Sequence, residues 1–455
     1  MLLSELFERF VKASPVTVMM QALFEHTLNP QFLDELFQQH ARRQKSRRLL
    51  FSTVIDLFTL VVCRVRPSMH AAYQLRCEQL GVSVKSVYNK LNKVEPQVAR
   101  QLVRATAARL AAVVGGLRVK FPRVLKGYAT RIVDGCHLAA TEHRLKELRA
   151  SRSGPLPGMV LTVLDGDSRM IVDVFPCEDA HAQERSLVVD VLDTQQPAEV
   201  WIADRAYCTS LFLLQTAANG AFFLVRQHAT NVRWTTHGRR RRIGPVEAGV
   251  LYEQGVKIWE DDEKFLLARR VTLVLDTPTQ DGDRELHILT NLPNKVRAGA
   301  IAAAYRQRWR VEGAFGELDA VLEAEIDTLA YPRAALLAFC LAAVAYNLLR
   351  TIRVALARAH GVEKVEQEVS SYYLGAEIGA TWRGMLAAIP DKAWQRRYGG
   401  LTPRQLAGRL TKLARDVQLR QFRKHTRGPK KPVHLPPLDK RHPHVATARL
   451  LETRN

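Results

Sequence analysis

The chain has 455 residues, of which 47% are hydrophobic and 25% are charged. These are ordinary values for a folded protein of several domains, and they exclude wholesale disorder, a collagen-like repeat and a polytopic membrane protein. The 67 Lys and Arg residues against 45 Asp and Glu residues give a formal net charge of +22, an excess that favours a polyanionic partner such as nucleic acid.

The cysteines and the most apolar segments narrow the class of protein further. The six cysteines contain no Cys-x-x-Cys pair, so neither a zinc module nor a disulfide framework is indicated. The first residues lack a basic leader before an apolar core, so we expect no signal peptide. The apolar run 334–349 is shorter than the roughly 20 residues that span a bilayer, and we expect a buried core helix. These features predict a cytoplasmic, nucleoid-associated protein without membrane contact.

Residues 1–125 show helical periodicity and few strand signals, which predicts a helical N-terminal DNA-binding region. Within it, the segment 81–91 places a turn and a Ser83 N-cap before a short amphipathic helix. The second half of a helix-turn-helix has this pattern. Ordinary helix packing produces the same pattern, so the sequence leaves both roles for this helix open.

From about residue 126, short apolar runs replace the helical pattern. Strands are predicted at 128–134, 159–164, 170–175, 200–203 and 221–225, and helices at 180–193 and 210–218. Antiparallel strands followed by alternating strands and helices predict an α/β fold with a mixed sheet covered on both faces.

The rest of the chain alternates between β-rich and helical sequence. A β-rich insertion is predicted before helical periodicity returns, and a basic, Pro-rich tail is predicted at 420–445. The predicted regions are a helical N-terminal region, a first core part, the insertion, a second core part and a helical C-terminal region, at 1–125, 126–225, 226–297, 298–350 and 351–455.

Two aspartates follow predicted strands of the sheet. Asp134 ends the first strand, and Asp204 ends a later one. Carboxylates at the carboxyl ends of strands project into the crevice where open α/β sheets place their sites. Taken alone, each aspartate is more often a turn-forming residue than a catalyst.

A third candidate group lies on the segment 305–319, which is predicted to form one helix. Tyr305, Arg308 and Glu312 stand at i, i+3 and i+7 and therefore share a face, whereas Trp309 points elsewhere and is expected to pack. A tyrosine, an arginine and a carboxylate along one face suit phosphate and metal. The alternative is a plain surface pair between Arg308 and Glu312.

In this order the motifs resemble the DDE transposases of insertion sequence family four. The motifs are Asp134-Gly135, the run Ala203-Asp204-Arg205-Ala206-Tyr207, and the spaced residues Tyr305, Arg308 and Glu312. The resemblance covers most of the chain in organisation, and it implies a ribonuclease H-like core split by the β-rich insertion. One position departs from the family signature, because Asp319 stands where the family has a lysine that holds a phosphate of the transposon end.

The resemblance implies a reaction and its partners. The reaction would excise an insertion sequence. It would pass through a hairpin intermediate at the transposon end and finish with strand transfer into target DNA. Double-stranded DNA, as terminal inverted repeats and as target, would be the substrate of a homodimer whose interface includes helices after about residue 350. Tyr305 and Arg308 would hold the DNA backbone, and Arg205 would orient a carboxylate or a phosphate.

The chemistry explains why carboxylates are needed. Phosphodiester cleavage near neutral pH requires charge stabilisation on the attacking and leaving oxygens, which two metal ions about 3.5–4 Å apart provide. Hard oxygen ligands with open positions suit Mg²⁺ or Mn²⁺ rather than Zn²⁺. We expect the catalytic residues Asp134, Asp204 and Glu312 to bind two such ions in each active site. His137, close to the same edge, is an alternative ligand.

The insertion supplies further candidates for DNA binding. They are four consecutive arginines and two tryptophans, namely Arg239, Arg240, Arg241, Arg242, Trp234 and Trp259. The arginines would track phosphates while one tryptophan stacks on a flipped base, and a solvated loop with packed tryptophans is the alternative. Two other functions remain open: a ribonuclease H-like nuclease that cuts without joining, and a catalytically silenced, transposase-derived DNA-binding protein.

Overall fold

The computed structural model describes residues 2–45, 48–149, 152–279, 282–425 and 444–452. Helices occupy the first part of the chain: α1 (Leu2–Ala13), α2 (Pro15–Thr27), α3 (Pro30–His40), α4 (Phe51–Val62), α5 (Met69–Leu80), α6 (Val84–Leu91) and α7 (Pro96–Leu117). A proline begins α2, α3 and α7, where its missing N–H would have had no helical partner.

A tight turn joins α5 to α6. Gly81 ends α5 with a φ of 58°, a left-handed conformation that glycine adopts without strain. The Ser83 hydroxyl accepts a hydrogen bond from the Ser86 N–H at 3.3 Å and caps α6, as predicted. Val87 is buried while Lys85 is exposed, so α6 has a packed face and a polar face. A DNA-reading role for that polar face stays a prediction.

Strands and short helices form the next part of the chain. They are β1 (Ala129–His137), β2 (Gly154–Leu156), β3 (Met159–Asp165), β4 (Ile171–Cys177), α8 (Val188–Leu192), β5 (Glu199–Ala203), α9 (Ser210–Ala218) and β6 (Phe222–Arg226). The helix predicted over 180–193 is confirmed only in part. Only α8 and a preceding 3₁₀ turn, Glu184–Leu187, are helical there.

The β-rich segment continues the same sheet. Its strands are β7 (Trp234–Thr236), β8 (Arg241–Val246), β9 (Gly249–Trp259), β10 (Phe265–Leu275) and β11 (Glu285–Thr290). Among the described residues, ten strands form one mixed sheet in the order β4-β3-β1-β5-β6-β11-β10-β9-β7, with β8 paired to β9. Because β11 pairs antiparallel with β6, the inserted strands extend the core sheet.

Helices complete the chain. They are α10 (Ala298–Arg306), α11 (Trp309–Val321), α12 (Pro332–His360), α13 (Val362–Glu368), α14 (Ser371–Ala388), α15 (Asp391–Trp394) and α16 (Pro403–Arg415), followed by β12 (His444–Ala446) and α17 (Thr447–Glu452). Most of the predicted basic tail, 426–443, lies outside the described residues. Beyond it, β12 pairs in parallel with β2.

The long helix α12 forms the centre of the helical layer. By length and composition it is apolar enough to cross a membrane, but its most apolar window is completely buried inside the protein. It is therefore a core helix, as predicted for the run 334–349, and it extends well beyond that run. Its neighbours are α7, α16 and β4, so it links the helical regions to the sheet.

An acidic cavity of about 470 Å³ lies among α2, α4, α5 and α14, away from the predicted catalytic residues. Glu25, Asp56 and Asp391 line it together with Arg76, whose guanidinium binds Asp391 at 2.7 Å and Asp56 at 3.7 Å. Burial raises the pKa of Glu25 to about 7, opposed by a hydrogen bond from Gln21 and reinforced by the two aspartates.

We expect Glu25→Gln to stabilise the protein at alkaline pH. Because the pKa of Glu25 in the folded state lies above its ordinary value of 4.5, the wild type loses stability as the pH rises from about 4.5 to 7. In urea melts, the free energy of unfolding of the variant relative to wild type should increase by about 1–3 kcal/mol between pH 5 and pH 8. The control is Glu35→Gln, because Glu35 accepts from Gln31 in the same i,i+4 arrangement on the surface. An equal response in both variants would contradict this.

Candidate active site

Parallel pairing of β1 and β5 places two aspartates side by side. Ile132 lies opposite Ile202, and Asp134 and Asp204 each stand two residues further along. The strand β5 ends there, and the Asp204 Oδ1 accepts a hydrogen bond from the Ala206 N–H at 2.7 Å, capping a 3₁₀ turn. Both carboxylates therefore lie at one edge of the sheet.

The sequence predicts that β1 ends at Asp134, but in the structure the strand continues. It continues to His137 because β3 pairs with it along this whole stretch, opposite Met159 at the far end. His137 is exposed, and its position three residues beyond Asp134 places its side chain on the other face of the sheet. This arrangement does not bring His137 together with Asp134 as a metal ligand.

The third group comes from the junction of α10 and α11. The single helix predicted over 305–319 is wrong, since α10 ends at Arg306 and α11 begins at Trp309. At the junction the Arg308 N–H donates to the Tyr305 carbonyl at 3.0 Å, a bond three residues back that tightens the turn. Arg308 therefore precedes α11, and Glu312 lies in the first turn of that helix.

Arg308 joins two of the carboxylates. Its Nη1 donates to Asp134 Oδ2 at 3.1 Å, and its Nη2 donates to Glu312 Oε1 at 2.9 Å. The arginine side chain is only 14% exposed, so these charge-assisted bonds are weakly screened. Burial opposes the charge of Arg308, but the surrounding carboxylates outweigh it and raise its pKa. The Arg308–Glu312 pair is thus part of a larger cluster, not an isolated surface pair.

The carboxylates also act on one another. Burial raises the pKa of Asp134 to about 6, with Arg308 opposing the shift and Asp204 and Glu312 adding to it. Beside them, burial raises the pKa of Tyr305 to about 12, so its hydroxyl keeps its proton at neutral pH. This edge of the sheet therefore combines three carboxylates with the guanidinium of Arg308 and the neutral hydroxyl of Tyr305.

The comparison with known families agrees with this arrangement. Residues 126–348 match the family model described as the transposase DDE domain. These residues are therefore similar to a transposase DDE domain, and the segment 126–348 is called the DDE domain here. The matched range contains Asp134, Asp204 and Glu312, and its large mixed sheet flanked by helices fits a ribonuclease H-like fold. No curated protein matches the chain.

Next to these carboxylates, the DDE domain has an open cleft of about 340 Å³. Its lining residues include Asp204 and the exposed Arg205. The role of Arg205 stays a prediction.

The structure places two residues of the DDE domain where the sequence did not predict them. Trp309 was expected to pack, but it is 65% exposed, with the Arg308 guanidinium 5.1 Å from its ring centre. Glu184 was missed, and its carboxyl lies against Gly135 and in the same cleft as Asp204. Burial, followed by the charges of Asp134 and Asp204, raises the pKa of Glu184 to about 7.

The tryptophans of the β-rich segment pack in the sheet. The Trp259 Nε1 donates to Thr235 Oγ1 at 2.9 Å, and its ring meets Phe265 edge to face at 5.0 Å. Trp234 is half-buried, with the Arg270 guanidinium 4.8 Å from its ring centre. These contacts supply the packing role considered above, and a base-stacking role for either ring stays a prediction.

The four arginines of that segment are exposed. Arg240 binds Glu285 at 3.2 Å, and Arg241 binds Glu253 at 2.8 Å. Arg239 is exposed, as is Arg242 at the start of β8. The row therefore presents positive charge at the surface, partly balanced by acidic neighbours, and its contact with phosphates stays a prediction.

The donor set fits a hard divalent cation in chemistry but is not assembled around one. Carboxylate oxygens of Asp134, Asp204 and Glu312 are the ligands that Mg²⁺ and Mn²⁺ prefer. Within the described ranges, no three His, Cys, Asp or Glu side chains form a group that could hold a metal ion. Arg308 instead binds Asp134 and Glu312 together and supplies the positive charge.

We expect Arg308→Ala to make the thermal stability of the protein more dependent on Mn²⁺. Without the guanidinium, Asp134 and Glu312 are left unneutralised, which should cost about 1–3 kcal/mol in the presence of EDTA. Mn²⁺ would bind the folded state and restore part of this loss, so the rise in Tm on adding Mn²⁺ should exceed that of wild type. The control Arg306→Ala breaks an exposed pair with Glu247 and should behave as wild type. A rise in Tm no larger in Arg308→Ala than in Arg306→Ala would contradict the neutralising role.

Proposed function

We propose that the chain is a DNA transposase that excises an insertion sequence by metal-dependent phosphodiester hydrolysis and transfers it into target DNA through a hairpin intermediate. One observation carries the proposal. The register of β1 with β5 and the contacts of Arg308 gather Asp134, Asp204 and Glu312 at one edge of a DDE domain. The net charge of +22 supports a DNA substrate.

Each side chain at this edge has a defined task in the proposal. Asp134, Asp204 and Glu312 would hold two Mg²⁺ or Mn²⁺ ions, since DDE transposases use divalent metal ions. When bound, such ions stabilise charge on the attacking and leaving oxygens. Arg308 would release at least one carboxylate and donate to a phosphate oxygen instead, for which its two-pronged guanidinium is suited. The Tyr305 hydroxyl would donate a hydrogen bond to the DNA backbone.

Asp319, which departs from the family signature, lies close to the positively charged side chain of Arg64. The Arg64 Nη2 donates to the Asp319 carbonyl at 3.0 Å, and its Nε binds Glu323 at 3.0 Å. Arg64 is 44% exposed and comes from the helical N-terminal region. We propose that Arg64 supplies the positive charge that the family lysine provides at this end of α11.

The remaining parts of the chain have tasks in DNA binding and assembly. We propose that the exposed face of α6 and the arginine row 239–242 contact terminal-repeat DNA. Two transposon ends must be cut together, which requires a homodimer, and we propose that helices after residue 350 contribute to its interface. The proposed location is the cytoplasm, on the nucleoid.

The test is cleavage of a DNA fragment that carries the ends flanking the gene. We expect nicked, hairpin-ended and joined products with Mg²⁺ or Mn²⁺, and none with EDTA. Hairpin-ended products without joining would favour a nuclease that does not transfer strands. End binding without any cutting would favour a silenced DNA-binding protein, and Asp319→Lys would then be the variant to examine.

A further inference from the structure

The acidic cavity among α2, α4, α5 and α14 has the size and the surface of a small-molecule site. Its volume of about 470 Å³ lies within the range of roughly 300–1,000 Å³ that is typical of ligand pockets. Much of its wall is apolar and consists of Phe24, Leu28, Leu33, Ile55, Leu60, Leu80, Trp382 and Leu386. Leu50 also lines the cavity and is 42% exposed, so part of this apolar surface is in contact with solvent.

The charge of this cavity is opposite in sign to the charge of the whole chain. The chain carries a net charge of +22, but Glu25, Asp56 and Asp391 line the cavity with a single cation, Arg76. Three carboxylates against one guanidinium leave two negative charges uncompensated when all four groups are ionised. Asp56 and Asp391 both pair with Arg76, yet each is more than half exposed, so their carboxylates are open to a further cation.

A buried hydroxyl group in the same wall has no partner. Thr59 lines the cavity and is only 5% exposed, and its Oγ1 has no hydrogen-bond partner among the described residues. Buried polar groups in folded proteins are nearly always paired, so this hydroxyl calls for a bound molecule. An ammonium group carries three N–H donors, and both carboxylates and a threonine oxygen accept from it.

Two hydrogen bonds fix the side chains of the cavity in place. The Gln21 Nε2 donates to Glu25 Oε1 at 2.8 Å, and the Gln21 Oε1 accepts from Trp382 Nε1 at 2.6 Å. The Trp382 ring also packs against Phe24, with ring centres 4.8 Å apart. These contacts join α2 to α14 across the cavity. Because the side chains are already ordered, a ligand would immobilise little that is free.

We propose that this cavity binds an aliphatic diamine or polyamine, whose ammonium groups pair with Glu25, Asp56 and Asp391 while its methylene chain lies against the apolar wall. Such a molecule supplies the two positive charges that the cavity lacks, and its stem buries apolar surface. A metal ion would leave the apolar wall uncovered, and no group of the described residues could hold one. The inference goes beyond the proposed function, since the cavity lies outside residues 126–348.

The occupant would connect two regions of the chain. Arg76 lies on α5, which leads through the turn at Gly81 into α6, whereas Asp391 begins α15 in the C-terminal region. A bound amine would therefore strengthen the contact between α5 and the C-terminal helices. It would stabilise the position of α6, the helix proposed to contact terminal-repeat DNA.

The first test is isothermal titration calorimetry of the full-length protein at pH 8 with 1,5-diaminopentane and with spermidine. We expect Glu25→Gln to bind both amines about 10-fold more weakly than wild type, because the amide removes one charge partner of an ammonium group. The control is Glu35→Gln, an exposed position of α3 outside the cavity, which should bind as wild type. The neutral analogue 1,5-pentanediol should bind to none of them. Urea melts would show that each variant is folded.

The pH dependence of binding gives a second readout. The charged groups of the cavity that face Glu25 are Asp56, Asp391 and Arg76, and burial raises the pKa of Glu25 to about 7. Because the amine pairs with the ionised carboxylate, the affinity of wild type for 1,5-diaminopentane should rise about 10-fold between pH 6 and pH 8. This rise should be absent in Glu25→Gln.

The possible outcomes decide the proposal. Wild type that binds neither amine would overturn it, and so would equal affinities of Glu25→Gln and Glu35→Gln. Binding of tetralysine but of neither free amine would assign the cavity to a protein partner and overturn the small-molecule site. Saturable amine binding that is weakened in Glu25→Gln would support the proposal even if wild type cut no DNA, a result that would contradict the proposed function alone.

Discussion

Glu312→Gln is expected to abolish Mg²⁺-dependent cleavage of end-containing DNA, by roughly 1,000-fold or more, while end binding is retained. The amide keeps the size of the side chain and still accepts a hydrogen bond from Arg308. It removes the negative charge and one strong oxygen ligand, which hard divalent cations require. Because Glu312 is 39% exposed, its pair with Arg308 contributes about 1 kcal/mol or less to folding, and the variant should remain folded.

Single-turnover cleavage and a gel-shift assay measure the two properties separately. The matched control is Glu317→Gln, which makes the same change of charge further along α11, outside the contacts of Arg308. We expect it to cut at a rate close to that of wild type. Undiminished cutting by Glu312→Gln would remove this residue from the catalytic set, and equal losses in both variants would point to a general effect of charge on DNA binding.

The two aspartates were accessible to sequence reasoning for a physical reason. A polar residue directly after an apolar run marks where a strand leaves a buried layer, and Asp134 and Asp204 both stand at such points. The true end of β1 was missed, because pairing with β3 carries the strand on to His137. Long-range pairing partners decide strand ends, and the local sequence does not contain them.

The contacts around Arg308 depend on tertiary structure that local periodicity does not describe. Helical spacing predicted its contact with Glu312, but the contact with Asp134 joins residues 174 positions apart in the chain. The same limitation explains Trp309. A continuous helix with one buried face led us to expect packing, whereas the junction before α11 leaves the ring exposed. Glu184 had no motif to mark it, because only the fold brings its carboxyl group to Gly135.

The second large effect is expected for stability, at Asn347 in the buried helix α12. Among the strands that the structure describes, β4 is the last in the sheet, so no described strand pairs with its outer side. Asn347 supplies hydrogen-bond partners there with both polar atoms of its side-chain amide. Its Oδ1 accepts from the Ile171 N–H at 2.8 Å, and its Nδ2 donates to the Ile171 carbonyl at 2.7 Å.

We expect Asn347→Leu to lower the free energy of unfolding by about 3–4 kcal/mol. Asn347 and Ile171 are both fully buried, so the leucine would leave two backbone groups of Ile171 without a partner and out of reach of water. Leucine keeps the branching and the number of heavy atoms of the asparagine side chain and leaves no cavity, so the loss is caused by the missing hydrogen bonds together with crowding by the larger methyl groups. Guanidinium denaturation at neutral pH measures it as a lower midpoint at unchanged slope.

Thr351→Val is the matched control for Asn347→Leu. Thr351 lies one turn further along α12, is equally buried, and donates its hydroxyl only to the Asn347 carbonyl within the same helix, at 2.9 Å. Its replacement should cost about 1 kcal/mol, because the Asn347 carbonyl keeps its helical bond. If the two variants lose free energies of unfolding within about 0.5 kcal/mol of each other, the amide of Asn347 does not stabilise the outer strand β4. The expected difference of about 2 kcal/mol or more would instead place the junction of α12 with β4 among the contacts that hold the mixed sheet to the helical layer.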